Sequence, residues 1–145
     1  MSTNKDFNRL NLLFEMAKEV EPTGKAKMAA ALYIKNELVG VGWNQQRSNP
    51  LAVKYQKHAE AITLHAEIHA IKQALRLYSV DELARAKTTL YICRAKRKSP
   101  AGEYLWGLSK PCVGCLRGIL DFGIKRIVYS MDETVEHGRF YEELP

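Results

Sequence analysis

The sequence predicts an α/β layered domain, on three observations. Amphipathic helical patterns alternate with short apolar runs rich in strand formers, turn residues punctuate them, and 145 residues at 46% hydrophobic are enough for a core. Domains commonly run ~100–150 residues, so 1–145 reads as a single domain. No low-complexity segment, convincing repeat or linker interrupts it.

The elements follow in order. Phe7, Leu10, Phe14 and Ala17 recur at helical spacing, with Asn8, Asn11, Glu15 and Lys18 on other faces; Pro22 and Gly24 stop this first helix. Met28 to Ile34 and Leu38 to Val41 are apolar runs around Lys35-Asn36-Glu37, which is a hairpin pattern. The stretch from Asn44 to Leu64 begins as a polar loop and carries Pro50. From His65 the pattern is helical again, with Ile68, Ile71 and Leu75 on one face and Ala70 and Ala74 beside it. Thr88 to Cys93 is β-branched and aromatic enough for a strand. Arg94 to Lys110, with Pro100, Gly102 and Gly107, reads as a second loop. Cys112 to Phe122 reads as a helix ended by Gly123, and Lys125 to Ser130 as a buried strand. The tail from Met131 suggests a turn at Asp132-Glu133 and one last short strand.

Lys and Arg number 22 against 16 Asp and Glu, a net charge of +6. Such an excess suits anionic partners, nucleotides or nucleic acid, although it also serves solubility. Three cysteines, an odd number, argue against a disulfide framework and for thiol chemistry in a reducing compartment. Met1 to Asp6 lacks an apolar signal core, and no stretch approaches the ~18–20 apolar residues that span a bilayer. The expectation is a cytoplasmic protein with no membrane association.

Two fragments carry chemistry together: His65-Ala66-Glu67 and Pro111-Cys112-Val113-Gly114-Cys115. A lone histidine is usually structural, and a lone C-x-x-C suits a redox pair or half of a structural zinc site. His69, one turn beyond His65, is the alternative fourth ligand that a closed structural site would need. Cysteines three apart on a helix point their sulfurs to one side, and in a first turn the dipole favours their thiolates. One imidazole and two thiolates give a tetrahedral zinc three ligands and leave one position for water, whose pKa zinc can bring to ~7. Glu67 is then the candidate proton carrier. Residues two apart on a regular helix do not share a face, so the meeting of His65 and Glu67 at one metal depends on their place in the first turn.

An H-x-E followed by P-C-x-x-C is the zinc deaminase pattern, and the chain resembles the cytidine deaminase superfamily, including its deoxycytidylate and tRNA-adenosine branches. The resemblance runs through nearly the whole chain: first helix, hairpin, Gly42-Trp43-Asn44, His65 to Ile71, strand, Pro111 to Cys115, helix and strand. It implies a three-layer helix–sheet–helix sandwich around a mixed sheet of about five strands. It implies zinc on His65, Cys112 and Cys115, with Glu67 catalytic. It also implies that Asn44 binds the substrate's sugar or base edge and that the Ala66 N–H binds the base carbonyl. The activity it suggests is hydrolytic deamination of a free cytosine nucleoside or nucleotide, with deoxycytidylate first. The alternatives are a base in RNA or single-stranded DNA, cytosine or adenine, and a non-catalytic zinc-binding domain. Relatives are frequently homo-oligomers.

Three features depart from the common patterns: about twenty residues between Asn44 and His65, the sixteen from Ala95 to Lys110, and His69 where deoxycytidylate deaminases often carry Asn. His58-Ala59-Glu60 repeats the tripeptide seven residues early, but only the His65 copy continues in the superfamily's order. His69 is expected to pack beside the pocket and Cys93 to serve as a small apolar strand residue. His137 has no evident partner. Arg94, Lys96, Arg97 and Lys98 form a positive run that suits either a solvated loop or a substrate phosphate. Tyr104 and Trp106 suit either base stacking or covering of that loop.

Overall fold

The computed structural model describes residues 4–20, 27–44, 65–97, 102–132 and 139–143. The described helices are α1 (Asn4–Lys18), α2 (Ala66–Ala74), α3 (Val80–Arg85) and α4 (Val113–Asp121). The strands are β1 (Lys27–Ile34), β2 (Glu37–Trp43), β3 (Thr88–Lys96), β4 (Leu105–Gly107), β5 (Arg126–Met131) and β6 (Arg139–Glu143). Five of them lie side by side in the order β2-β1-β3-β5-β6, and β4 pairs with the end of β3. β3 and β5 run parallel while the other pairs are antiparallel, so the sheet is mixed.

Strand alternation builds two cores. Ala29, Ala31, Tyr91, Cys93 and Val128 pack with Leu10, Leu13 and Ala17 of α1 on one face. Ala30, Leu32, Leu90, Ile92 and Ile127 pack on the other with Ile68 and Ile71 of α2, Leu83 of α3 and Ile119 of α4. The result is the helix–sheet–helix sandwich that the resemblance implies. Among the described residues no helix is long and apolar enough to cross a membrane.

The hairpin closes on Lys35-Asn36, with Ile34 opposite Glu37 and Lys35 at φ 55°. The segment read as a loop from Arg94 differs. β3 continues to Lys96, and Leu105–Gly107 returns antiparallel against Arg94 to Lys96. Ser109 and Ser130 fix that return: the Ser109 N–H donates to the Ser130 carbonyl at 3.0 Å, and the Ser130 N–H to Ser109 Oγ at 2.9 Å. Helix α3 is absent from the sequence reading. Its capping box is in the sequence, however: the Glu82 N–H donates to Ser79 Oγ at 3.1 Å, and the Ser79 N–H to Glu82 Oε1 at 2.9 Å.

The face of α1 holds a buried charge. Asp6, 2% exposed, accepts two bonds from the Arg126 guanidinium and one from the Tyr91 hydroxyl at 2.6 Å. Two glycines of β2 bring α2 down onto the sheet. A Cβ at Gly40 would meet the Ala70 carbonyl at 2.2 Å, and one at Gly42 would meet the Ala66 carbonyl and the Ala70 nitrogen, both at 2.4 Å. Because these are backbone atoms, no rotamer relieves the clash. Gly42→Ala should therefore cost about 3 kcal/mol, the upper end of an overpacking penalty. Denaturant unfolding measures this, and an unchanged midpoint would contradict the close approach.

Candidate metal centre and active site

The N-termini of α2 and α4 meet above the sheet, and the sequence places a ligand type at each. His65 is the N-cap of α2, with extended backbone (φ −75°, ψ 151°) and no side-chain capping bond. This resolves the two-residue spacing: His65 stands off the helix while Glu67 lies in its first turn. Cys112 is the N-cap of α4, and its Sγ accepts from the Cys115 N–H at 3.4 Å. Both cysteines thus occupy the positive end of a helix dipole.

The structure brings His65, Cys112 and Cys115 together, with their ligand atoms all within 4.8 Å of one another. His65 Nδ1 lies 3.0 Å from Cys115 Sγ and 3.8 Å from Cys112 Sγ. Zinc bonds of ~2.0–2.1 Å to nitrogen and ~2.3 Å to sulfur put such atoms roughly 3.5 Å apart in a tetrahedron, between the two distances seen. Hydrogen bonds from Cys115 and His65 push the Cys112 thiol down to about 3, whereas the bond to Cys112 and then burial raise Cys115. His65 is raised, chiefly by its bond to Cys112. The same contact thus favours the thiolate at Cys112 and the protonated forms at Cys115 and His65, so a metal must displace protons to bind here.

Glu67 is buried beside this cluster, 2% exposed, and its Oε1 has no hydrogen-bond partner among the described residues. Burial is the largest cause of its raised pKa, which the charge of His65 partly offsets. An unpartnered buried carboxylate oxygen next to two thiols and an imidazole fits a centre completed by zinc and water. The donor set fits zinc, and three ligands leave a fourth position open.

Ala66, the first residue of α2, is buried, and its N–H belongs to the helix's unsatisfied first turn. Asn44 follows β2 and is 5% exposed; its Oδ1 accepts from the Met28 N–H at 2.9 Å, which fixes the carboxamide at this end of the sheet. His69 stands apart from the metal cluster. Its Nδ1 lies 3.1 Å from the Trp43 N–H donor, its Nε2 lies 3.0 Å from the Gln73 carboxamide, and its ring meets Trp43 edge-on. It ties Gly42-Trp43-Asn44 to α2. Cys93 is buried in the α1-side core.

Of the positive run, Lys96 pairs with Asp132 at 2.6 Å and Arg97 lies over the Tyr104 ring. Lys98 lies outside the described residues, as do His58-Ala59-Glu60, Glu133 and His137. Arg94 lies two residues beyond Ile92 on β3 and so shares its face, the α2 and α4 side; its Nε is buried without a hydrogen-bond partner among the described residues. The sequence placed Arg94 in a charged run without distinguishing it from its neighbours. Trp106 is buried and stacks on Phe7 at 5.5 Å, so it covers the core and does not offer a face to a base.

Zinc must compete with protons on His65 and Cys115, both raised, so affinity should climb as pH rises from ~6 to ~8 and fall in acid. Competition with a chelating indicator across that range measures it; a flat profile would contradict the assigned ligand set.

Residues 3–131 match the family model described as the cytidine and deoxycytidylate deaminase zinc-binding region. The chain is 26% identical over 130 residues to a tRNA-specific adenosine deaminase from Buchnera aphidicola subsp. Schizaphis graminum (strain Sg), covering 90% of this chain and 68% of that protein. Its fold is similar to that of dCMP deaminase from cyanophage S-TIM5, with TM-score 0.57, 17% identity, and 88% and 84% of the two chains covered. It is also similar to that of cytidine deaminase from Burkholderia pseudomallei, with TM-score 0.57, 17% identity, and 97% and 92% covered. The helix–sheet–helix fold, the clustered imidazole and thiols, and the match over most of the sequence agree: the chain belongs to the cytidine and deoxycytidylate deaminase family.

Proposed function

We propose that the protein hydrolyses the exocyclic amino group of a cytosine nucleoside or nucleotide, with deoxycytidylate as the first compound to test. The observation that carries this reading is Glu67, buried beside the His65, Cys112 and Cys115 cluster with a carboxylate oxygen that has no partner among the described residues. Bound zinc would supply a water made acidic enough to attack at neutral pH. Glu67 takes a proton from the attacking water and delivers it to ring N3, then moves the remaining proton of the new C4 hydroxyl to the amino group, so that the C–N bond breaks, ammonia leaves and C4 becomes a carbonyl. Burial raises the Glu67 pKa, the direction that suits a carboxyl group that must both accept and give a proton. The Ala66 N–H, at the positive end of α2, orients the base through its carbonyl, and Asn44 contacts the sugar or base edge.

Arg94 supports a phosphorylated substrate, being a half-buried cation on the α2 and α4 side of the sheet whose Nε has no hydrogen-bond partner among the described residues. A charge-assisted bond to phosphate is worth about 1.5–3 kcal/mol. Arg94→Gln should therefore raise KM for deoxycytidylate roughly tenfold or more and leave KM for deoxycytidine unchanged. Lys96→Gln, already answered by Asp132, should do much less. Equal effects on nucleotide and nucleoside would remove Arg94 from phosphate binding.

A second reading is deamination of a base within RNA or single-stranded DNA, supported by the similarity to a tRNA-specific adenosine deaminase. It predicts activity on oligonucleotides that exceeds that on mononucleotides and falls steeply with salt, because several phosphates release counterions together. The buried Glu67, which ligates no metal in this scheme, speaks against a purely structural zinc domain. Exposed Leu38 and Leu77 beside the β2 edge support a homo-oligomer, and thiolate ligands suit a reducing, cytoplasmic setting.

A further inference from the structure

One end of the sheet collects more cations than carboxylates. Lys5 and Arg9 of α1, Lys35 of the β1–β2 turn and Arg126 at the start of β5 line a cavity of about 300 Å³ with Asp6 and Asn36. Asp6 is committed to Arg126 and to the Tyr91 hydroxyl. Lys5, Arg9 and Lys35 have no carboxylate partner among the described residues.

Lys5 and Arg9 are held by neutral groups. The Arg9 guanidinium lies 3.8 Å over the Tyr33 ring, and its Nη1 donates to the Tyr91 hydroxyl at 3.1 Å. Arg9 Nη2 and Lys5 Nζ both donate to Asn36 Oδ1, at 3.3 and 2.8 Å. Those two bonds keep the nitrogens within about 6 Å of each other, so two like charges converge on one neutral oxygen. Arg9 uses two of its five N–H groups in these bonds and Lys5 one of three, which leaves donors for a further acceptor. Stacking on Tyr33 pre-orients the guanidinium fork, the geometry that binds phosphate oxygens.

The cavity is remote from the metal centre. Met28 of β1 lies beside Asn44, and Ile34, its last residue, beside Lys35; six steps of ~3.3 Å separate Met28 from Ile34 by about 20 Å. A substrate seated at the metal centre does not extend its own phosphate that far. We infer that this cavity is a second site, which binds the phosphate group of a small phosphorylated ligand independently of the deaminase reading above. A dianionic terminal phosphate matches three unbalanced cations better than the single charge of a backbone phosphodiester.

The test is a two-dimensional amide NMR titration of the zinc-loaded protein with inorganic phosphate, at ionic strength held constant with chloride. Saturable shifts are expected at Lys5 to Arg9, Lys35, Asn36 and Thr89, with none at Glu67 to Ala70. Lys5→Glu with Lys35→Glu, both at exposed positions, should weaken binding at least tenfold, and Lys5→Gln with Lys35→Gln serves if charge reversal disturbs folding. Arg76→Glu with Arg85→Glu changes net charge equally at exposed sites and should weaken it less than twofold. Absent or non-saturating shifts, shifts confined to the metal centre, or equal weakening in the control would overturn the site. So would larger shifts in this cavity with a single-stranded oligonucleotide than with phosphate, which would make it a polynucleotide surface.

Discussion

Glu67→Gln should keep one zinc per chain while lowering kcat by about 10²–10⁴-fold, the usual contribution of a positioned acid–base group. The substitution preserves volume in a fully buried site, so packing loss cannot stand in for chemical loss. It removes the oxygen that accepts and returns protons, and it leaves His65, Cys112 and Cys115 in place. Zinc content by metal analysis and turnover must therefore separate. If they fell together, Glu67 would be holding the metal centre; if neither fell, it would have no part in the reaction.

Loss of His65 has the opposite signature. His65→Ala removes one of three ligands at a centre where Cys112 and Cys115 alone remain, and both zinc and activity should go. Losing an outer partner of a metal ligand typically costs ~10–100-fold in affinity, so losing the ligand itself should exceed ~100-fold. His58→Ala, in the duplicated tripeptide, should leave zinc near one per chain. Zinc lost from the His58 variant and kept by the His65 variant would reverse the assignment.

The metal centre was legible because its chemistry demands particular side chains at tight spacings. A C-x-x-C at a helix start and an H-x-E upstream survive in the sequence whatever the intervening chain does. The way His65 and Glu67 converge was not legible. It rests on His65 lying outside the helix with extended backbone, which in turn depends on where α2 begins over Gly42. Trp106 could not be placed from sequence for a related reason. Its partners Phe7 and Phe14 lie more than ninety residues away, and only the fold brings them together. The Asp6–Arg126 pair, 120 residues apart, is the same kind of contact. By contrast α3 was readable in principle, since Ser79 and Glu82 have capping-box spacing. The segment after Arg94 looked like a loop because glycine and proline are poor strand formers. Gly107 nonetheless pairs in β4, where the aliphatic part of Arg94 packs over it.

The claim that this chain is a hydrolytic deaminase for cytosine nucleosides or nucleotides is tested most directly by product analysis. Zinc-loaded protein is incubated separately with cytidine, deoxycytidine, deoxycytidylate, adenosine and single-stranded oligonucleotides, and ammonia is measured alongside the base formed. One ammonia per uracil is expected from a cytosine nucleoside or nucleotide, with deoxycytidylate turned over best and Glu67→Gln inactive. Deamination confined to oligonucleotides and falling steeply with salt would contradict the substrate assignment, and no ammonia from any of them would contradict the claim itself.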